Sequence, residues 1–533
     1  MPVQSLLLRN LFSELPFPVI SGEPDETPIT GITADSRKVE PGNLFVACTG
    51  GAVDGHLYIH DAIKRSAAAV VGEKDWVERN GNSPYGAGEG GASPYIRVAN
   101  SRQALAYLAA AFYGYPARKL TMIGVTGTDG KTTTTNLIYH ILLEAGMRAG
   151  MISTVNAVIG DQVLDTGFHV TTPDAPDIQH YLAMMVDAGL THVILETTSH
   201  GWAQYRVDAC EFDIGVVTNI THEHLDYHGS YEAYRAAKAR LFTSLSDTLP
   251  KSQGNPRLAI LNRDDASCAY LADISHSALL TYGLSEGADV CAEDIHSDAI
   301  GSHFIIKKNK LRIAIDTQLF GIFNISNCLA ALTTTIFGLD IDPQTAAAAI
   351  AKFPGVPGRM ERIELGQPFT AIVDFAHTPN ALRMALETVR DILTTQRVIA
   401  IFGSAGLRDQ AKRRMMAEVS AELADITIIT AEDPRTESLD DILQEMANGA
   451  RAWGGEEGNN LFCVPDRGEA IRLGVRLARE GDIVIACGKG HEQSMCFGMT
   501  EYPWDDRTAM RAAISELLGI PGPEIPYLPT QNK

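Results

Sequence analysis

The sequence predicts an α/β protein of three domains, on two observations: its length, and a rhythm of short apolar runs and amphipathic helices that restarts along the chain. At 533 residues the chain exceeds what one hydrophobic core sustains and should divide into about three domains. Hydrophobic residues make up 45% and charged residues 20%, which suits a globular protein and not a disordered one. Lysine and arginine total 44 against 65 aspartates and glutamates, a net charge of −21. So acidic a surface argues against nucleic acid or an anionic membrane as partner. Anionic substrates would need local positive sites set against that field.

In the first domain, residues 1–100, apolar runs at Asn43 to Cys48, Ala67 to Val71 and Tyr95 to Val98 alternate with helical patterns, as in a small α/β unit. The glycine-rich stretch Asn80 to Pro94 reads as a surface loop. In the second, residues 101–353, the runs are Met122 to Val125, Val193 to Leu195, Ile214 to Thr218 and Leu258 to Leu261. They are nearly continuous, as expected of parallel strands covered on both faces. A β-rich patch follows from Ala288 to Asp316. After Pro354 and Pro357 the pattern restarts in the third domain, residues 354–533. Its strands are Ala371 to Val373, Val398 to Phe402, Ile426 to Ile429, Leu461 to Val464 and Ile483 to Ala486, a doubly wound, Rossmann-like sheet.

The eight cysteines form no C-x-x-C pair, which disfavours a zinc knuckle and fits a reducing cytoplasm. Met1 to Gly22 lacks the basic start and apolar run of a signal peptide. The apolar runs are strand-sized, too short for a membrane helix. A cytoplasmic location is expected.

The most informative local sequence is Gly124-Val-Thr-Gly-Thr-Asp-Gly-Lys-Thr-Thr133, between a strand and the helical pattern Asn136 to Leu143. The glycines, Gly127 and Gly130 among them, would let backbone N–H groups curl round phosphate oxygens, and the helix N-terminus adds a favourable dipole; Gly127, Thr128, Asp129, Gly130, Lys131, Thr132 and Thr133 are the candidate phosphate-loop residues. Lys131 would bridge the outer phosphates and the Thr132 hydroxyl would hold Mg²⁺. The strict G-x-x-x-x-G-K-[ST] pattern fails at its first position, Val125; the bland alternative is a tight strand–helix turn. A nucleotide loop is equally at home in a switch, a motor, a kinase or a ligase.

Ligands of doubly wound sheets sit beyond the carboxyl ends of the strands. Here those ends run into Glu196-Thr-Thr-Ser-His200 and Asn219-Ile-Thr-His-Glu-His-Leu-Asp226. A carboxylate and a histidine near a phosphate loop suit Mg²⁺, although His222, His224 or His228 taken singly reads as a hydrogen-bonded loop residue. Zinc is disfavoured because no cysteine accompanies them. Lys238, in the helical stretch Tyr231 to Phe242, reads by itself as a solvated helix lysine. In the third domain the strand ends carry Asp374 with His377, Gly403-Ser-Ala-Gly-Leu-Arg-Asp409, Glu432-Asp-Pro-Arg435 and Gly488-Lys-Gly-His-Glu492. Arg408 and Arg435 suit carboxylates, and Glu432 and Glu492 suit ammonium groups. That combination points to an amino-acid acceptor.

Thr126-Gly-Thr-Asp-Gly-Lys-Thr-Thr133, Asn219…His224-Leu-Asp226, Gly321-Ile-Phe-Asn324…Asn327 and Asp374-Phe-Ala-His-Thr-Pro379 together resemble the Mur ligase family. Within it, Glu196-Thr-Thr-Ser-His-Gly…Gln204-Tyr-Arg206, Asp-Pro-Arg435 and Gly-Lys-Gly-His-Glu492 are similar to the UDP-N-acetylmuramoyl-tripeptide synthetases. The resemblance runs from Asp35-Ser-Arg37 to Asp506-Arg507. It implies an N-terminal uridine-binding domain, a central P-loop ATPase domain and a C-terminal amino-acid domain. By the same match, Ser36 and the turn Gly51, Ala52, Val53 would contact the UDP-substrate, and Thr171, Thr172, Thr198, Gln204 and Arg206 would hold its muramoyl-dipeptide. Asn324, Asn327, Arg359 and Asp374 would hold ATP beside the loop residues Gly127 to Thr133. Arg408, Glu432, Asp433, Pro434, Arg435, Gly488 and Glu492 would hold the amino acid. Glu196, His224, Thr132 and Lys238 would serve the metal, Lys238 as the family's carbamate.

The sequence departs from the family pattern at Asp129, Glu223 and Val170, and above all at Asp433, where diaminopimelate-adding members carry asparagine. Arg435 favours a second carboxylate on the acceptor and Asp433 opposes one. The bidentate guanidinium is the stronger discriminator, so meso-diaminopimelate is favoured, with L-lysine and L-ornithine as alternatives. The implied reaction is an amide ligation in peptidoglycan precursor synthesis. ATP phosphorylates the D-Glu carboxylate of UDP-MurNAc-L-Ala-D-Glu, and the acceptor amine displaces phosphate from the acyl phosphate; Lys131, Lys238, His224 and Glu196 are its catalytic set. The expected partners are small molecules only, and the expected state is a monomer. Rival readings are a folylpolyglutamate synthetase and a P-loop switch.

Overall fold

Each of the three stretches builds its own sheet, because its apolar runs can be buried only by pairing side by side under helices. The computed structural model describes residues 5–50, 53–76, 93–164, 172–221, 225–297, 301–392 and 396–532. Most of the loop expected at Asn80 to Pro94 lies outside them. In the N-terminal sheet the order is Val19–Ser21, Tyr95–Val98, Ala69–Gly72, Asn43–Val46, Gly31–Thr33. All neighbours are parallel except the bulged edge strand Val19–Ser21. Leu44, Val46, Val71 and Ile96 pack beneath the helix Ser101–Phe112. Asn100 caps that helix by accepting the Gln103 N–H at 3.0 Å, which satisfies one of the donors a helix start leaves unpaired.

The central sheet runs Gln162–Leu164, Ala157–Ile159, Ala149–Ile152, His192–Glu196, Thr121–Thr126, Ile214–Val217, Leu258–Asn262, Ala278–Gly283. From Ala149–Ile152 onward these strands are parallel. The phosphate-loop strand Thr121–Thr126 is buried along its whole length in mid-sheet, so its carboxyl end opens between the ends of His192–Glu196 and Ile214–Val217. That placement gathers the polar residues after all three strands at one edge. The expected β-rich patch forms the strands Val290–Ser297, Ser302–Lys308 and Leu311–Thr317.

The C-terminal sheet runs Glu361–Ile363, Thr370–Asp374, Ile483–Cys487, Val398–Phe402, Ile426–Ile429, Leu461–Cys463, parallel apart from its first edge. One face packs Ile372, Leu386, Phe402 and Met446; the other packs Val373, Ile401, Ile471 and Trp504. Arg467 and Asp506 are fully buried and joined at 2.6 Å. The same guanidinium donates to the carbonyls of Ala431 at 3.1 Å and Cys487 at 2.8 Å. One buried ion pair therefore fixes the two strand ends that lead into Glu432 and Gly488.

By compactness the chain forms two units. One comprises Met1–Cys291, Lys308–Leu311 and Asn327–Ala346; the other comprises Ala292–Lys307, Arg312–Ser326 and Ala347–Lys533. The N-terminal and central sheets share the first unit, where Gln103 donates to Asp208 at 3.1 Å and alanines 106, 110, 175 and 209 pack together. No helix among the described residues is long and apolar enough to cross a membrane.

Candidate active site

The loop after Thr121–Thr126 is held from three sides. Its turn needs glycine at Gly130, where φ is +81° and a Cβ would lie 2.2 Å from Asn327 Oδ1. At Gly127 a Cβ would lie 1.8 Å from Thr218 Oγ1. Asn219 accepts the Asp129 N–H at 3.0 Å and donates back to the Asp129 carbonyl at 3.2 Å. Thr218 donates to that same carbonyl at 2.5 Å. Lys131 opens the helix Lys131–Glu144 and folds back to donate to the Thr128 carbonyl at 2.7 Å. Thr133 follows on the same first turn.

Glu196, 1% exposed, reaches this loop from the next strand. Its Oε1 accepts from the Thr132 hydroxyl at 3.0 Å and its Oε2 from the Thr154 N–H at 3.0 Å. Lys238 corrects the expectation of a solvated lysine: it is 2% exposed, donates to the Gly127 carbonyl, and sits 4.7 Å from the centre of the Tyr234 ring. The helix Tyr231–Asp247 turns that face inward, which the sequence pattern around one lysine does not reveal. His224 lies outside the described residues, as do Thr171, Gly51 and Ala52.

A second group adjoins Glu196. Thr172 and Thr198 share a hydroxyl contact at 3.1 Å, and Thr198 caps the helix Ser199–Ala203. Arg206 donates to the Thr172 carbonyl at 2.6 Å and to Gln204 Oε1 at 2.8 Å, with Asp174 at 3.2 Å. The structure thus brings Thr172, Thr198, Gln204 and Arg206 together. Ser36 lies on a short turn in the N-terminal domain, and Val53 is exposed in its own.

In the second unit, a cavity of about 720 Å³ is lined by Phe320, Asn324, Arg359, Glu361, Arg362 and Arg511. Arg359 stacks over Phe375 at 4.4 Å. Asp374 accepts the N–H groups of Met360 and Ala376 at 2.7 and 2.8 Å, and burial raises its carboxyl despite Arg359. Glu432 is 5% exposed, and its Oε2 has no hydrogen-bond partner among the described residues. Burial pushes its carboxyl above the usual range, although Lys412, Arg467 and Lys489 pull the other way. Gly488 faces it so closely that a Cβ there would lie 2.4 Å from Glu432 Oε2.

Lys489, which carried no role in the sequence reading, is fully buried. It bonds Asp433 at 3.0 and 3.1 Å and Glu492 at 2.5 Å. This alters two expectations: the charge of Asp433 is answered inside the protein, and Glu492 already has a cation. Pro434 is buried beside them, and its carbonyl abuts Gly406. Arg435, with φ +55°, is pinned through its backbone to Cys496 and Gly498 at 3.1 and 2.7 Å. Its guanidinium meets no acidic group among the described residues. Arg408 is exposed on the neighbouring loop.

Family models match in order along the chain: the Mur ligase family catalytic domain over residues 28–113, the Mur ligase middle domain over 125–335, and the Mur ligase glutamate ligase domain over 358–490. A protein of Roseiflexus sp. named UDP-N-acetylmuramyl-tripeptide synthetase is 42% identical, across 96% of this chain and 98% of its own. The chain belongs to the Mur ligase family. A Geobacillus kaustophilus protein named UDP-N-acetylmuramoyl-L-alanyl-D-glutamate–2,6-diaminopimelate ligase is 40% identical, across 93% of this chain and 96% of its own. A solved structure bearing that same name superposes with a TM-score of 0.66 at 29% identity, covering 97% of this chain and 100% of the other. The chain therefore has the three-domain Mur ligase fold and is an ATP-dependent ligase. Among Mur ligase features, a lone charged helix residue such as Lys238 and a buried lysine such as Lys489 were the ones that local pattern could not rank.

Proposed function

We propose that this Mur ligase acts in peptidoglycan precursor synthesis, joining the D-Glu carboxylate of UDP-MurNAc-L-Ala-D-Glu to a diamino acid at the expense of ATP. The observation that carries the acceptor half is Glu432: a buried carboxylate beneath Gly488, with one oxygen unpartnered among the described residues, on the same domain as the Arg435 guanidinium, unpaired among those residues, and the exposed Arg408. A buried acid is costly to ionise alone and stable once an ammonium joins it, so this is where an amino acid's amine would be held while the arginines take carboxylate. The names of the relatives at 42% and 40% identity supply the substrate class. Meso-diaminopimelate is the favoured acceptor. Lys489 neutralises Asp433, which removes the main electrostatic objection to a second carboxylate.

The central site would bind ATP phosphates through the loop 127–133 and Lys131. The family match assigns Asn324, Asn327, Arg359 and Asp374 to ATP as well. Thr172, Thr198, Gln204 and Arg206 would hold the muramoyl-dipeptide, with Ser36 and the 51–53 turn towards its uridine end.

The residues present fit magnesium. The Thr132 hydroxyl and the buried Glu196 carboxylate are hard oxygen donors of the kind Mg²⁺ takes, and Lys238 would join them only as a carbamate. Among the described residues no three His, Cys, Asp or Glu side chains converge as a metal cluster, so phosphate oxygens and His224 would complete the set. When bound, the ion would neutralise charge on the transferring phosphoryl group.

In the proposed reaction the D-Glu carboxylate attacks the γ-phosphate and ADP leaves, giving an acyl phosphate. Lys131 would release its hold on the Thr128 carbonyl to meet the growing charge. The acceptor amine then attacks the acyl carbon, and phosphate departs with the electron pair of the broken C–O bond. The test is phosphate release from ATP with the UDP-muramoyl dipeptide and, in turn, diaminopimelate, lysine, ornithine or no acceptor. Release that requires both the dipeptide and a diamino acid is expected. Nucleotide hydrolysis indifferent to either would overturn the reading.

A further inference from the structure

Tyr234 is wholly buried and touches both halves of the phosphate site. Its phenol oxygen lies 2.9 Å from Thr128 Oγ1, and its ring lies beneath the Lys238 ammonium at 4.7 Å. The two contacts come from one side chain because Tyr234 and Lys238 are four residues apart on the helix Tyr231–Asp247, which stacks them on one face. Ser230 fixes where that helix begins by accepting the Ala233 N–H at 3.1 Å.

Thr128 is the hinge of the loop. Its N–H donates to the Asn219 carbonyl at 2.7 Å, its hydroxyl accepts the Thr221 N–H at 3.0 Å, and its own carbonyl receives Lys131. Turning Thr128 would therefore swing the one carbonyl that parks the phosphate lysine. The adjacent carbonyl, of Gly127, receives Lys238. Tyr234 thus contacts both Thr128 Oγ1 and the Lys238 ammonium, and consecutive carbonyls of the loop, those of Gly127 and Thr128, receive Lys238 and Lys131.

We propose that Tyr234 is a positioning residue for nucleotide binding: its hydroxyl locks Thr128, and through it the phosphate loop, while its ring supports Lys238. The inference rests on the reading of this loop as the ATP site. The phenol is not placed to touch substrate, and its effect is on loop geometry. A buried phenol without its partner is also costly, so the bond is made whenever the loop is in this form.

The test uses the full chain, with kinetics for ATP and for the UDP-muramoyl dipeptide and direct calorimetric titration with ADP and Mg²⁺. Tyr234→Phe keeps the ring beneath Lys238 and removes one oxygen. It should raise the KM for ATP and weaken ADP binding by roughly fivefold, the scale of one neutral hydrogen bond, and leave the KM for the dipeptide unchanged. Thr128→Val removes the same contact and also leaves the Thr221 N–H without its acceptor, so it should weaken ADP binding more than Tyr234→Phe, and the double variant should be no worse than Thr128→Val alone. Tyr234→Leu, which also removes the ring, should lower kcat in addition. Unaltered ADP binding in Tyr234→Phe, an equal rise in both KM values, or additive effects in the double variant would overturn the proposal. Thr128→Ser, which keeps the hydroxyl, should bind ADP as the wild type does; should Tyr234→Phe not fold, a Thr128→Val that binds ADP as well as Thr128→Ser would overturn the proposal. Wild-type protein that binds ADP but shows no acceptor-dependent phosphate release would sink the ligase reading and leave this inference standing; wild-type protein that binds no ADP would end both.

Discussion

The buried ammonium of Lys489 lies 3.0 Å from Asp433 Oδ1, so the charge expected to oppose a second carboxylate on the acceptor is neutralised within the fold. Burial lowers and two carboxylates raise the lysine's affinity for its proton, and the carboxylates win. Asp433 also accepts the Cys496 N–H at 2.9 Å, a bond that asparagine would keep. Replacing Asp433 with Asn therefore leaves the backbone in place and adds one net positive charge to the acceptor face. The ratio of kcat/KM for diaminopimelate to that for lysine should rise about tenfold, equivalent to roughly 1.4 kcal/mol. A ratio that stays level in the acceptor panel would show that the acceptor does not sense this charge.

Two glycines should separate the substrates. At Gly130, φ is +81° and a Cβ would meet Asn327 Oδ1 at 2.2 Å; at Gly488, φ is +115° and a Cβ would meet Glu432 Oε2 at 2.4 Å. Alanine at either position is strained in its backbone and displaces a specific polar atom. Gly130→Ala should weaken ADP binding by at least about tenfold and leave the acceptor KM alone. Gly488→Ala should do the reverse, the scale in each case being the roughly 1–3 kcal/mol of a strained residue. Steady-state kinetics with each substrate varied in turn decides it.

Much of this arrangement was legible in the sequence because it is carried by runs. Val398–Phe402 and Ile426–Ile429 form as read, since five consecutive apolar residues, or three isoleucines with one threonine, between turns have few other ways to hide. The motif after Thr121–Thr126 announced its own geometry through Gly130 and Lys131. What escaped were edge strands such as Gln162–Leu164, too exposed to show a burial pattern. Single charges whose burial depends on distant partners escaped too. Lys238 is buried by the turn of its helix onto Gly127, 111 residues away in sequence, and Lys489 by Asp433, 56 residues away; no local window contains either pair.

Lys251 and Asp213 form a further buried pair, at 2.6 Å, with side chains 1% and 0% exposed. Lys251 also donates to the carbonyls of Leu120 and Glu211 at 3.0 and 2.8 Å, and Asp213 accepts the Met122 N–H at 2.7 Å. They tie the amino ends of two central strands, the edge opposite the phosphate loop. Asp213→Ala should therefore cost about 3–5 kcal/mol of stability, because it strands a buried ammonium, with little change in the KM for ATP below the melting transition. Replacing both partners with leucine and methionine should cost less than either single change. Chemical denaturation monitored by circular dichroism measures all three.

Acid should loosen the C-terminal domain through two histidines. Burial foremost, and then Lys412, hold the His377 imidazole down to about 4; burial, and then Arg359, hold His491 down to about 3. Unfolded histidine titrates near 6.5. Between roughly 6.5 and 4 the unfolded chain therefore takes up protons that the folded chain refuses, and stability falls as pH falls through that window. Glu432 and Asp374, raised by burial, act in the opposite sense: their protonated forms favour the fold, and their cost appears as pH rises. Each histidine is partly open to solvent, so its share is taken as roughly 1–2 kcal/mol after screening. The melting temperature should drop between pH 7 and pH 5, and His377→Gln and His491→Gln should each flatten that slope, the double variant most. A double variant whose melting temperature still falls as steeply as the wild type's would move the acid sensitivity to other groups.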